Sequence, residues 1–100
     1  MMKIEVSRQA CCAADDQVGP LELELELDVH ASFQRLVETI MISGFLQYSS
    51  SHTTMLGFVD GVAAVRVFST EYRQNETEYL IDPALTVGEA VRTGSIDFRF

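Results

Sequence analysis

The stretch Leu21-Glu22-Leu23-Glu24-Leu25-Glu26-Leu27-Asp28 limits what this chain can fold into more than any other. Side chains on an extended strand point alternately to opposite faces, so this order sends four leucines one way and four carboxylates the other. Wound into a helix, the same leucines would spread around the cylinder and leave no dry stripe. The stretch therefore reads as a half-buried strand. Fully buried, each leucine would contribute roughly 1.5–3 kcal/mol, so the strip is expected to supply a substantial share of the core.

A chain of 100 residues makes one domain with one core. Hydrophobic residues at 47% and charged residues at 22% fit a globular protein, with neither disorder nor a membrane span indicated. Met1-Met2-Lys3-Ile4-Glu5-Val6 lacks the apolar block and cleavage site of a secretory signal, so a cytoplasmic address is expected. Fifteen acidic and seven basic residues give a formal charge of −8. Such a surface repels phosphate backbones and anionic lipid, which argues against nucleic acid and membrane as partners. A basic protein is its natural complement, and solubility alone is the other account of the same charge.

Cys11 and Cys12 are adjacent and could close only a strained ring, so they do not read as a structural disulfide. The only histidines, His30 and His52, do not stand at zinc-ligand spacing from that pair, and no metal or cofactor is expected. The cysteines read as small side chains in a loop or strand end.

In chain order, Met2, Ile4 and Val6 alternate with Lys3, Glu5 and Ser7, predicting a first strand over 2–7. The connection from Arg8 to Gly19 is long for a hairpin, a length often found in binding segments. The strip at 21–28 should then return antiparallel to the first strand. Phe33, Leu36, Val37, Ile40 and Met41 fall on one side of a helix predicted from about 32 to 43, with Ser32 as N-cap and Gly44 closing it. Its apolar side is expected to lie on the leucine strip. Phe45–Tyr48 reads as a short extended segment before a polar turn, Ser49–His52. Asp60-Gly61 between the apolar runs 54–59 and 62–68 predicts a tight hairpin, at the sheet centre or under other cover. A polar connection over 70–76 leads to a short strand, Glu78–Ile81, ended by Asp82-Pro83. Thr86-Val87-Gly88-Glu89 has the form of a capping box, predicting a short helix over 87–92 with Gly94 as its stop. The tail alternates again, with Ile96, Phe98 and Phe100 on one side.

The succession is strand, strand, helix, strand, strand, short strand, short helix, strand. It predicts a two-layer α+β domain with one main helix packed on a mixed sheet. This order resembles the β-grasp of ubiquitin-like proteins, with a ferredoxin-like or other α+β roll as the alternative. The chain departs from ubiquitin-like modifiers and sulfur carriers by ending Asp97-Phe98-Arg99-Phe100 instead of Gly-Gly, so a carrier role is not expected. It also lacks the four spaced cysteines of plant-type ferredoxins. A second resemblance lies in Lys3-Ile4-Glu5-Val6-Ser7-Arg8, then Cys11 or Cys12, then Asp15-Asp16. It is similar to the opening of small bacterial proteins, some of which look like immunity partners of secreted polymorphic toxins.

A nucleophile elbow and a phosphate loop are both missing from the sequence, and an enzyme is not expected. A deep pocket holding His30 or His52 beside Cys11 or Cys12 would overturn that reading. Carboxylates two residues apart on a strand stand roughly 6.6 Å from one another, and each such pair costs about 0.6 kcal/mol in water. Three contacts total about 2 kcal/mol or less, which a solvated face tolerates, and cross-strand Lys3 offsets part of it. The same row would accelerate encounter with a cationic partner. The expected function is a small acidic protein-binding module, an immunity-type inhibitor of a basic toxin or effector among the options. Its partner contacts are Asp15, Asp16, Glu22, Glu24, Glu26 and Asp28. The alternative is a structural module that self-associates, as a homodimer, through a sheet edge near Phe98.

Overall fold

Residues 1–9, 21–46, 54–68 and 77–100 are described by a computed structural model. The expectations for the loop carrying Cys11, Cys12, Asp15 and Asp16, for Gln47–His52 and for the 70–76 connection lie outside the described residues. The described chain is a small α+β domain with six strands in one mixed sheet and two short helices. The elements are β1 (Met2–Arg8), β2 (Glu22–Leu27), α1 (Phe33–Ser43), β3 (Thr54–Val59), β4 (Val62–Phe68), β5 (Glu78–Tyr79), α2 (Val87–Ala90) and β6 (Ser95–Arg99). In space the strands run β2-β1-β6-β3-β4-β5, and every neighbouring pair is antiparallel except β1 with β6. Among the described residues no helix is long and apolar enough to cross a membrane.

Local chemistry accounts for most element boundaries. The Ser32 hydroxyl accepts the Arg35 N–H at 3.1 Å, and Gly44 closes α1 in the left-handed conformation at φ 73°. Phe33, Leu36, Val37 and Ile40 turn inward at i, i+3, i+4 and i+7, while Met41 is only half-buried. Asp60 and Gly61 both take positive φ, 53° and 79°, which the primed turn of a two-residue hairpin demands. Thr86 and Glu89 form the capping box in both directions. The two helix starts also satisfy each other. Phe33 N–H donates to the Leu85 carbonyl at 2.7 Å, and Val87 N–H donates to that of Ala31 at 2.7 Å. α2 stops at Ala90, short of the expected 92, because Val91 leaves helical geometry at φ −120°, ψ 65°.

β6 reaches the middle of the sheet because the turn before it delivers the Gly94 carbonyl to the Glu5 N–H at 2.8 Å, which starts the parallel ladder with β1. The core follows from that placement. Ile4 and Val6 of β1, Ile96 and Phe98 of β6, Met55 of β3, and Val65 and Val67 of β4 meet the inward side of α1. Phe45 and Leu46, which follow α1 without forming a strand, are also buried.

Several expectations are corrected. Leu23, Leu25 and Leu27 pack against the core but stay half-buried, because β2 is the last strand of the sheet and nothing among the described residues flanks its outer side. The strip is the rim of the core and not its centre. The strand near Phe98 is no edge, since β6 pairs with β1 on one side and β3 on the other. The edges are β2 and β5. β5 holds only Glu78 and Tyr79, because the chain leaves the ladder once Leu80 N–H has bonded the Ala64 carbonyl at 2.9 Å. β3 and β4 are interior as expected, but their outward alternates, Leu56, Phe58 and Phe68, keep partial exposure.

Candidate functional site

The face of the sheet turned away from the core carries the polar alternates, and cross-strand register decides which of them meet. Lys3 stands opposite Glu26, Glu5 opposite Glu24, and Ser7 opposite Glu22. The β2–β1 half of this face thus carries four carboxylates, Glu5, Glu22, Glu24 and Glu26, with one ammonium, Lys3, toward one end of the row. Lys3 Nζ lies 3.8 Å from Glu24 Oε1, with both side chains well exposed at 69% and 59%. An exposed pair at that separation contributes about 0–1 kcal/mol and leaves the row strongly negative. A shallow hollow of about 420 Å³ opens here, lined by Glu5, Ser7, Glu22, Glu24 and Ser95 with the flanks of Val6 and Leu23.

Glu5 belongs to this group and was absent from the residues singled out in the sequence. Its outward direction was legible in the alternation of β1, but its place opposite Glu24 depends on register. Asp28 separates from the row. It lies beyond the end of β2, where its Oδ1 accepts the His30 N–H at 2.9 Å and its carbonyl accepts the Ala31 N–H at 2.9 Å, an Asx turn leading to α1. It lines a different hollow with Ala31, Ser32, Gln34, Arg35 and Glu38. His30 is exposed in the same turn. Asp15 and Asp16, like Cys11, Cys12 and His52, lie outside the described residues.

Toward β6 the charges become internally matched. Asp97, opposite Ser7 in the parallel register, accepts the Ser7 hydroxyl at 2.8 Å on Oδ1 and Arg99 Nε at 2.6 Å on Oδ2. The hydrogen bond to Asp97, and then its charge, hold the Arg99 guanidinium above its ordinary pKa. Further across, Leu56 lies beside Arg99 and Phe58 beside Asp97, and Arg66 Nη1 pairs with Glu78 Oε1 at 3.0 Å. The open face therefore runs from acidic on β2–β1, through a neutralised centre, to partly apolar on β3–β4. At the far edge Tyr79 sets its ring edge-on to Phe33 at 6.1 Å, and burial, with Glu38 second, raises its phenol pKa.

One cation is withdrawn from the acidic half altogether. Arg8 continues the inward alternation of β1 and is 4% exposed, with its guanidinium carbon 5.4 Å from the Phe45 ring centroid. The alternation that predicts a strand over 2–7 stops one residue short of Arg8; one more step of the same period reaches it. What the β2–β1 half offers chemically is a dense, solvated negative field on a rigid ladder. In comparisons with known proteins, no family model, no curated protein and no solved structure matches this chain.

Proposed function

We propose that this chain is a small acidic protein-binding module of β-grasp type that docks a basic protein on the β2–β1 half of its open sheet face, as an immunity-type inhibitor of a basic toxin or effector. The fold assignment is supported by the opening hairpin, the helix that follows it, and the last strand lying parallel to the first in mid-sheet. The observation that carries the function is the row of Glu5, Glu22, Glu24 and Glu26 with Lys3 as the one cation that the described strands place among them, while Arg8, Arg66 and Arg99 are engaged elsewhere. A cationic surface placed on this half would relieve the repulsion within the row and be steered to it from a distance.

The test is to combine Glu22→Lys, Glu24→Lys and Glu26→Lys and titrate the variant calorimetrically against the product of the adjacent gene at low salt. At about 1 kcal/mol per reversed charge, affinity should fall about 100-fold. Unchanged affinity in a variant that melts like the parent would remove the proposal. A second reading, self-assembly through a sheet edge, is favoured by one observation: among the described residues the six-residue strand β2 is paired on one side only.

A further inference from the structure

The outer edge of β2 is more selective than an ordinary open strand. Arg8 N–H donates to the Leu21 carbonyl at 3.0 Å, which makes Arg8 and Leu21 a hydrogen-bonded pair. Antiparallel partners alternate between bonded and non-bonded pairs. Counting along the register, Leu23, Leu25 and Leu27 bond to β1, whereas Glu22, Glu24 and Glu26 sit in the non-bonded pairs. Glu5 agrees with this count, since its N–H turns the other way, to Gly94. The backbone N–H and C=O groups of Glu22, Glu24 and Glu26 therefore point out of the sheet, and no described residue takes them up. Main chain and carboxylate of the same three residues are offered together. Beside them, the half-buried leucines leave the apolar layer unfinished along the same edge.

We infer that this edge receives an extended segment of the partner that alternates Lys or Arg with apolar residues, pairing antiparallel to β2 as an added strand. The inference rests on the acidic-face reading above and specifies how the basic partner is held. In that register the segment's basic residues lie directly opposite Glu22, Glu24 and Glu26 and exchange main-chain bonds with them. Its apolar residues extend the leucine strip on the other face and cover it. A second copy of this chain is disfavoured at the same place. Antiparallel pairing of β2 with itself, leucines on one face, sets glutamate against glutamate at every bonded position, and like charges directly opposite destabilise a ladder. The carboxylates thus act twice, drawing a cationic strand in and keeping acidic or self-identical strands out.

The probe is a synthetic peptide of alternating lysine and valine, matched to the six residues of β2, with a control of the same composition in two blocks. Binding to the intact protein is followed by calorimetry and by amide hydrogen exchange. The alternating peptide should bind at least about 10-fold tighter than the block peptide. It should slow exchange at the Glu22, Glu24 and Glu26 amides and leave those of Leu23, Leu25 and Leu27, already bonded to β1, as they were. N-methylation at its lysines should abolish binding, and N-methylation at its valines, whose N–H groups face away, should not. If both peptides bind alike with no new protection, the added strand is overturned while docking on the acidic face survives. If neither binds, both fall. If the protein alone is a dimer by light scattering, with the three glutamate amides already protected, a second copy holds the edge and the inference is overturned.

Discussion

Strands β2 and β6 alternate apolar and polar residues equally cleanly, yet one ends the sheet and the other runs through its middle between β1 and β3. On the inner face the difference is burial: Ile96 and Phe98 are sealed, whereas Leu23, Leu25 and Leu27 are half-covered. On the outer face it is charge matching. Asp97 of β6 is held by Ser7 and Arg99, while of Glu22, Glu24 and Glu26 on β2 only Glu24 pairs with a cation among the described residues, Lys3 at 3.8 Å. Alternation states which side chains share a face; the neighbouring strands decide what that face is worth. β6, flanked on both sides, has its Asp97 engaged within the fold, whereas β2, flanked on one side among the described residues, keeps its glutamates exposed.

Truncation of the inward residues should separate the two strands most widely. Phe98→Ala empties a sealed site and should cost about 3–5 kcal/mol in urea denaturation. The neighbouring Gly57 tests the same packing from the other direction. A Cβ there would come within 2.8 Å of Val65 Cγ1 and 2.9 Å of Phe98 Cε1, so Gly57→Ala should cost about 1–3 kcal/mol by overpacking. Leu25→Ala, by contrast, removes a side chain that water already reaches, and about 1–2 kcal/mol is expected. Equal losses at Phe98 and Leu25 would break the distinction between core and rim.

Most elements were legible because their signals are local. The Asp60-Gly61 turn, the Ser32 cap and the Thr86–Glu89 capping box each depend on residues within four positions of one another, and each forms where the sequence places it. The strand at 21–28 was legible for the same reason, with its end drawn back from Asp28 to Leu27. Sheet order was not. Nothing within 95–100 distinguishes a central strand from an edge, because the choice depends on Glu5 reaching the Gly94 carbonyl across nearly the whole chain length. The candidate site shows the same division. The outward direction of Glu22, Glu24 and Glu26 follows from period alone, whereas the inclusion of Glu5 and the loss of Asp28 to a turn follow from register and from where a strand ends.

The outward residues give smaller and more diagnostic effects. Ser7→Ala removes the hydroxyl bonded to Asp97 at 2.8 Å, in a partly buried position, and should cost about 1 kcal/mol. No measurable loss would mean that the Ser7 bond adds nothing to the fold, and the matching of Asp97 would rest on Arg99 Nε at 2.6 Å alone, weakening the contrast with the β2 acids.

Glu24→Gln is the finest test, because two opposing terms meet there. The substitution removes attraction to Lys3 at 3.8 Å, about 1 kcal/mol in water, together with repulsion from Glu5 directly opposite, about 0.7 kcal/mol at roughly 6 Å, and from Glu22 and Glu26 along the strand, about 0.6 kcal/mol each. Both terms are exposed and screened by salt, so the stability change should stay within about 0.5 kcal/mol and shrink further at high ionic strength. The comparison is then sharpened by measuring binding alongside folding. A residue that the fold barely notices should be felt by a basic partner, whereas a loss above about 1 kcal/mol in denaturation would show that the acidic row is tied into the domain's own stability, as Asp97 is, and is not held in reserve for another surface.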